Sequence, residues 1–175
     1  YLYSAWVPET ARDKKWINHA YEIGLNWKAT EELSLFASHS RSYRIPNVDE
    51  FALADDDLHP QHSIHVDAGL RYKIRNILET AATLFFMETT DEIYYGEENG
   101  GGSRINRNYD QKTCRTGIET QLKLYPKQWL YLWGNYTYTR AVFDQTEAFV
   151  PLVPEHTANV GMEVYPSDSW TIAVS

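Results

Sequence analysis

The residues best suited to chemistry in this sequence are histidines and aspartates that crowd into one short polar stretch. Within eleven residues the sequence places Asp55, Asp56, Asp57, His59, His62 and His65. Imidazole and carboxylate groups bind divalent metals, and the acidic triplet alone offers the oxygen ligands that Ca²⁺ prefers. The stretch has two interpretations: a metal site, or a solvated acidic loop with His65 turned towards a polar interior. The ligands of the metal site would be Asp55, Asp57, His59 and His62.

A serine beside a histidine, Ser38-His39, is the pair that most resembles part of a hydrolytic triad. Neighbouring residues of a strand point to opposite faces of a sheet, so these two side chains cannot form a nucleophile–base pair directly. We therefore predict that the protein is not an enzyme.

Charged side chains also recur on one face of two predicted strands. Arg115, Glu119 and Lys123 share a face in the second half of the chain, and Asp67 shares one with Arg71 in the first half. Inside a barrel these would be paired charges facing water. They can equally be ordinary exposed ion pairs, each worth well under about 1 kcal/mol.

The elements that position these residues are strands, because the hydrophobic pattern has a period of two. Between Ser63 and Tyr72, one face would carry the apolar residues Ile64, Val66, Ala68, Leu70 and Tyr72. Cys114–Leu124 and Thr157–Tyr165 repeat the alternation. Each stretch predicts a strand with one apolar and one polar face, and no comparable helical stripe occurs. We predict an all-β protein, an antiparallel meander of about eight to nine strands.

The connections between the predicted strands alternate between short and long. Short joints lie at 28–32, 74–76, 126–128 and 166–169, and long ones at 44–62, 96–108 and 140–155. In a meander of hairpins, this alternation puts every long loop at one end of the sheet. Transmembrane β-barrels have this asymmetry, with short turns at one end and long loops at the other. We therefore favour a transmembrane barrel over a soluble sandwich.

Composition agrees with this interpretation. The chain has 175 residues, a formal charge of −8 and 14% aromatic residues, many of them near the predicted strand ends, as in the girdles of membrane barrels. The acidic balance argues against nucleic-acid binding, and a lone Cys114 excludes an internal disulfide. No apolar run reaches the roughly 18 residues of a spanning helix, but spanning strands escape that test.

Four segments resemble strands of the TonB-dependent outer-membrane receptors of Gram-negative bacteria, in that family's order. They are Ser38–Phe51 (SHSRSYRIPNVDEF), Leu58–Leu70, Asn108–Glu119 and Pro151–Asn159. The first is similar to the family's strand end SxSRxFRxPxxxEL. The last resembles a strand start with two prolines and a histidine. Together the four segments extend the resemblance over almost the whole chain.

The resemblance implies that residues 1–175 are a partial β-barrel domain, from the C-terminal half of a twenty-two-stranded barrel with a plug. The family's plug domain, TonB box and C-terminal strands would be absent from it. The implied function is active uptake of a scarce nutrient across the bacterial outer membrane. Its implied partners are the TonB energy-coupling protein and membrane lipid, with no cofactor and no nucleic acid. The alternatives are a cobalamin or haem receptor of the same family, a passive porin or adhesion barrel, and a soluble carbohydrate-binding β-domain.

Loop charge bears on the nutrient. Segment Arg44–His62 has a formal charge of −4 and Arg140–Glu155 of −2, whereas Gly96–Asn108 is balanced. Like charges repel at the encounter step, so we expect a ferric siderophore of low negative charge rather than a highly anionic catecholate complex. We expect the balanced segment to contact it. The predicted ligand-binding residues are Tyr94, Tyr95, Arg104 and Arg107.

Overall fold

A computed structural model of the chain describes residues 14–52, 54, 57–97, 104–167 and 169–175. It contains ten strands and one short helix, α1 (Val48–Ala52). The strands are β1 (Tyr21–Lys28), β2 (Leu33–Arg44), β3 (Gln61–Ile74), β4 (Leu78–Thr90), β5 (Ile93–Glu97), β6 (Arg104–Asn108), β7 (Thr113–Lys127), β8 (Leu130–Phe143), β9 (His156–Ser167) and β10 (Trp170–Val174). No helix in these ranges is long and apolar enough to cross a membrane.

Eight of the strands form one antiparallel sheet in the order β1-β2-β3-β4-β7-β8-β9-β10. Short turns join β1 to β2, β3 to β4, β7 to β8 and β9 to β10, while the long connections at 45–60, 91–112 and 144–155 all lie at the opposite end. The predicted all-β antiparallel meander and its alternation of joints are therefore confirmed.

The middle long connection contains two of the strands. Strands β5 and β6 pair antiparallel inside it, from Ile93 opposite Asn108 to Glu97 opposite Arg104, and form a separate two-stranded sheet. Ile93, Tyr94 and Ile105 are β-branched or aromatic residues, which favour strand in the described part of this connection.

The register gives the main sheet two distinct surfaces. Directly paired residues share a face, so Leu35, Leu70 and Ala82 lie together, and so do Ser38 and Asp67. We call the first surface the apolar face; it carries Ile23, Leu25, Ile64, Val66, Leu70, Phe86, Ile118, Leu122, Val160 and Met162. The opposite surface, the polar face, carries Asp67, Arg71, Glu119, Asn135, Asn159 and Glu163. The assignment of residues to the two faces of the sheet, which was predicted from the period of two, is confirmed.

Most hydrophobic side chains of the sheet are at least partly exposed in this chain. Among the described residues, the buried hydrophobic ones are Leu58, Ala141 and Val150, none of them on the apolar face. Leu25 and Val160, by contrast, are each 72% exposed. Such an extended exposed apolar surface is unfavourable in water, and it calls for a covering partner or a lipid environment.

Candidate functional site

The long loops meet at one end of the sheet, where loop 45–60 packs against the β5–β6 hairpin. Asn106 on β6 donates from Nδ2 to the carbonyl oxygen of Glu50 at 3.1 Å and forms a parallel bridge with Ala54. Leu58, only 1% exposed, is the most buried apolar residue of this loop end. The two loops therefore form one packed unit.

Asn108, the last residue of β6, closes this unit with all of its amide hydrogen-bonding groups. Its Nδ2 donates to the carbonyl oxygens of His59 at 2.9 Å and Asp91 at 2.6 Å, and its Oδ1 accepts from the His59 N–H at 3.1 Å. The side chain thus ties together three chain segments, before β3, after β4 and at the end of β6. We call this arrangement the Asn108 clasp.

Gln61 at the start of β3 makes a second connection. Its Oε1 accepts from the Arg44 guanidinium and from the Ile93 N–H, each at 3.2 Å. Nη1 of Arg44 also donates to both carboxylate oxygens of Glu50, at 2.8 and 2.9 Å. Burial alone would raise the pKa of Glu50, but the Arg44 pair and the Asn47 N–H outweigh it and hold that pKa below its usual value.

The base of the hairpin is held by Glu92. Its carboxylate receives Arg115 at 2.7 and 2.9 Å and the hydroxyl of fully buried Thr113, and the Arg115 and Glu92 side chains are only 15% and 20% exposed. Burial would raise the pKa of Glu92, but hydrogen bonds from Arg115 and Thr113 outweigh it, so the pKa lies below the usual value. This pair anchors the hairpin to β7 of the main sheet.

An aromatic group lies beside this anchor. The Tyr94 and Tyr109 rings stack in parallel with centroids 4.0 Å apart, and Phe143 meets Tyr109 edge-on at 4.8 Å. With Asp110 and Gln111 they line a cavity of about 160 Å³. Burial, together with the Glu92 charge, raises the pKa of Tyr109. The cavity offers aromatic rings and one carboxylate, a setting that suits a cationic or flat group.

The four residues predicted to bind ligand fall into two pairs. Tyr94 lies directly opposite Arg107 across the hairpin, so these two share one face of the β5–β6 sheet. Tyr95 and Arg104 occupy the other face, where Tyr95 is 56% exposed. The hairpin therefore positions all four at the loop end, but only Tyr94 joins the aromatic cavity, and their role in binding stays a prediction.

The predicted metal ligands are spread apart. The His59 ring contacts the Asp57 carbonyl oxygen at 2.6 Å through Nδ1 and the Asp91 carboxylate at 3.4 Å through Nε2. His62 lies opposite Tyr43 on the apolar side of the sheet, whereas His65 meets Ser42 on the polar face at 3.3 Å. Asp55 lies outside the described residues, and in the described ranges no three His, Cys, Asp or Glu side chains are placed to hold a metal. The metal site stays a prediction.

Sequence reasoning missed Asn108, Gln61 and Glu92. Their partners are mostly backbone groups and side chains brought together by the fold; Asn108 meets a residue 49 positions away. A lone Asn or Gln at a strand end gives no signal of such a contact. The sequence pattern placed Arg115 on a charged strand face, but it did not identify Glu92 as the ion-pair partner.

The comparisons with known proteins agree with this architecture. Residues 8–175 match the family described as TonB dependent receptor-like, beta-barrel. No curated protein matches the chain. Among solved structures, the copper transporter OprC superposes with a TM-score of 0.72 at 17% identity, over 88% of this chain and 25% of that one. A ferric enterobactin receptor (PfeA) mutant from Pseudomonas aeruginosa gives 0.71 at 19% identity, over 89% of this chain and 27% of that one.

The siderophore receptor PirA from Acinetobacter baumannii gives a TM-score of 0.69 at 19% identity, over 89% of this chain and 28% of that one. At these identities the likeness shows the fold alone, and the chain spans about a quarter of the length of these neighbours. The family match covers nearly the whole sequence and agrees with the meander, the loop asymmetry and the exposed apolar face. The chain therefore belongs to the TonB-dependent receptor-like β-barrel family, a family of transport receptors.

Proposed function

We propose that this chain is part of the barrel wall of a TonB-energised receptor in the bacterial outer membrane. The exposed apolar face carries the proposal. On β3 it runs from Ile64 to Ile74, and ten residue steps of about 3.3 Å give about 33 Å along the strand. Tilted by about 40°, such a strand crosses about 25 Å, the height of the apolar band of outer-membrane barrels. In the barrel, the polar face would line the interior around a plug.

The cargo we propose is a ferric siderophore of low negative charge. Two of the three long loops are net acidic, and the aromatic cavity beside Tyr109 contains a carboxylate, Asp110. A ligand carrying many negative charges would be repelled at the encounter step. Siderophore receptors among the structural neighbours support this class of cargo but do not select one chelate.

Equilibrium binding to the intact receptor tests the cargo. A neutral or cationic ferric chelate should bind more tightly than a highly anionic catecholate complex. Substituting Tyr94→Ala or Arg107→Ser should weaken binding of a neutral chelate, because the first removes an aromatic ring and the second a hydrogen-bond donor, while Arg75→Ser, in the short turn at the opposite end, should not. Tightest binding of the strongly anionic complex, or unchanged affinity in the hairpin variants, would refute the assignment.

Copper is a second candidate cargo, favoured by one pair of side chains on the polar face. His65 and Met87 are direct cross-strand partners, and they line a cavity of about 250 Å³ with Asp67. A thioether and an imidazole are ligands that suit copper, and one structural neighbour is a copper transporter. If copper is carried, the intact receptor should retain it on dialysis and lose it in Met87→Leu. His39→Asn, on the apolar face, serves as the control.

A further inference from the structure

The apolar face changes character where it meets the long loops. We call the outward side chains at this boundary the rim; they are Tyr21, His39, Arg41, Glu88, Lys112, Tyr136, Tyr138, Arg140 and His156. Register places Arg41 beside Ile64 and Tyr21 on this face, and Arg140 beside Thr116, in the row that continues to Phe86 and Val66. The rim thus adds cations to a surface that is otherwise hydrophobic.

Most cations at this end of the sheet are already neutralised. Arg44 pairs with Glu50, Lys112 with Glu88 at 2.8 Å, and Arg115 with Glu92. Arg41 is different, because it is exposed and forms no ion pair with any carboxylate in the described ranges. An arginine left without a counter-charge on an apolar surface is a place for an external anion.

The surroundings of Arg41 are built of phosphate-binding groups. Tyr21, its direct cross-strand partner, has its hydroxyl 3.0 Å from His39 Nε2, and the two rings lie 5.6 Å apart. His39 precedes Arg41 by two positions on the same strand and therefore points to the same face. A guanidinium, a phenol and an imidazole together supply donors that match the oxygens of a phosphate.

The same grouping occurs a second time on the far side of the sheet. The Tyr136 hydroxyl lies 2.8 Å from His156 Nδ1, and the Tyr138 ring packs at 5.2 Å from the same imidazole. Arg140 follows Tyr138 by two positions, and its one carboxylate neighbour in the described chain, Glu147, is 3.8 Å away and 80% exposed. A Tyr–His pair with an arginine just beyond it is therefore repeated on β1–β2 and β8–β9.

We propose that the rim binds the phosphate groups of a phosphorylated glycolipid of the outer leaflet, at Arg41 with Tyr21 and His39, and again at Arg140 with His156. This inference rests on the membrane position proposed above. A lipid fits better than a free anion, because Ile23 and Ile64 beside the cations are 70% and 39% exposed and can contact acyl chains. The acidic loops beyond the rim would repel a free anion approaching from outside.

Native mass spectrometry of the intact receptor, titrated in detergent with bis-phosphorylated lipid A, tests this proposal. The wild type should bind two lipids, and Arg41→Gln should bind the one at its own site about tenfold more weakly, which is the loss of a charged hydrogen-bond partner. The complex with one lipid, held at Arg140, should remain. Arg41→Lys should recover part of the affinity. The matched control is Arg75→Gln, an exposed arginine at the short-turn end, which should bind like the wild type.

Two further measurements distinguish a lipid phosphate from free inorganic phosphate. Dephosphorylated lipid A should bind wild type and Arg41→Gln equally weakly, and millimolar inorganic phosphate should not displace the intact lipid. Equal binding of both lipids by the wild type, displacement by free phosphate, or an Arg41→Gln affinity equal to that of Arg75→Gln would overturn the proposal. Failure of the receptor to fractionate with outer membranes would instead refute the proposed function.

Discussion

Replacing Asn108 by alanine should release the β5–β6 hairpin from the loop that precedes β3. The side chain makes three hydrogen bonds, two with His59 and one with the carbonyl of Asp91. The pair with His59 is exposed to water, so each of its bonds contributes about 0.5 kcal/mol, whereas the half-buried bond to Asp91 contributes about 1 kcal/mol. Their loss amounts to about 2 kcal/mol, or about 30-fold in the ratio of open to closed hairpin.

Hydrogen exchange on the intact receptor measures this opening directly. The amides of β5 and β6 should exchange about 30-fold faster in Asn108→Ala, while those of β3 and β7 stay protected. Asn108→Asp should open the hairpin further at neutral pH, because a carboxylate oxygen would face the two carbonyl oxygens that Nδ2 now contacts. Acidification should reverse part of that additional effect.

The matched control is Asn159→Ala, which removes a single side-chain hydrogen bond, to Asn135 at 3.0 Å, on the polar face away from the loops. Its β5 and β6 amides should exchange as in the wild type. If Asn108→Ala leaves exchange in the hairpin within twofold of this control, the clasp does not hold the loops and the reasoning is wrong.

Three other predictions follow from the sheet and its loop end. Leu70→Arg, near the middle of the apolar run on β3, should cost about 2–4 kcal/mol of barrel stability in lipid. Val66→Arg, nearer the rim, should cost less. Equal costs of the two substitutions in a denaturant titration would argue against the membrane position. Gly117→Ala should cost at least about 1–3 kcal/mol by overpacking, because the new Cβ would clash with the backbone carbonyl oxygen of Tyr138 and lie 2.6 Å from Cζ of Phe85. The double variant with Phe85→Leu should recover only the part of the loss that the ring causes. The pKa of Glu92 is lowered in the folded state, so its contribution is complete above its ordinary pKa of about 4.3 and is lost as the pH falls through the lowered value. Exchange at the hairpin base should rise over that acid range in the wild type and stay flat in Glu92→Gln.

The fold was predictable from the sequence because the strand period is a local property. Ile64, Val66 and Leu70 reveal a face without reference to any other strand. The loop end was not predictable in the same way. Its contacts join residues such as His59 and Asn108, which are distant in sequence. Many of them use backbone carbonyl groups, which every residue has, so the sequence does not indicate which ones are hydrogen-bonded. Arg41 shows a third limit: its outward position follows from strand parity, but only the structure shows that no carboxylate in the described ranges pairs with it.

The three long connections share a feature that explains how loops of unequal length can be tolerated. Phe36 lies over Gly69, Phe85 over Gly117 and Trp133 over Gly161, each a direct cross-strand pair on the polar face. In each pair the aromatic residue is on the strand that enters a long connection, and the glycine is on the strand that leaves it. No pair of this kind joins the short-turn strands in the described chain.

Short turns fix the register of the strands they connect, but a long loop cannot. Connections 45–60, 91–112 and 144–155 differ in length by several residues, yet the strands on either side pair without a register shift. A slip by one residue would press each ring against a side chain instead of a glycine. These aromatic–glycine pairs therefore select the register of the strands on either side of each long connection. The long loops therefore do not have to fix the register of the strands that they connect.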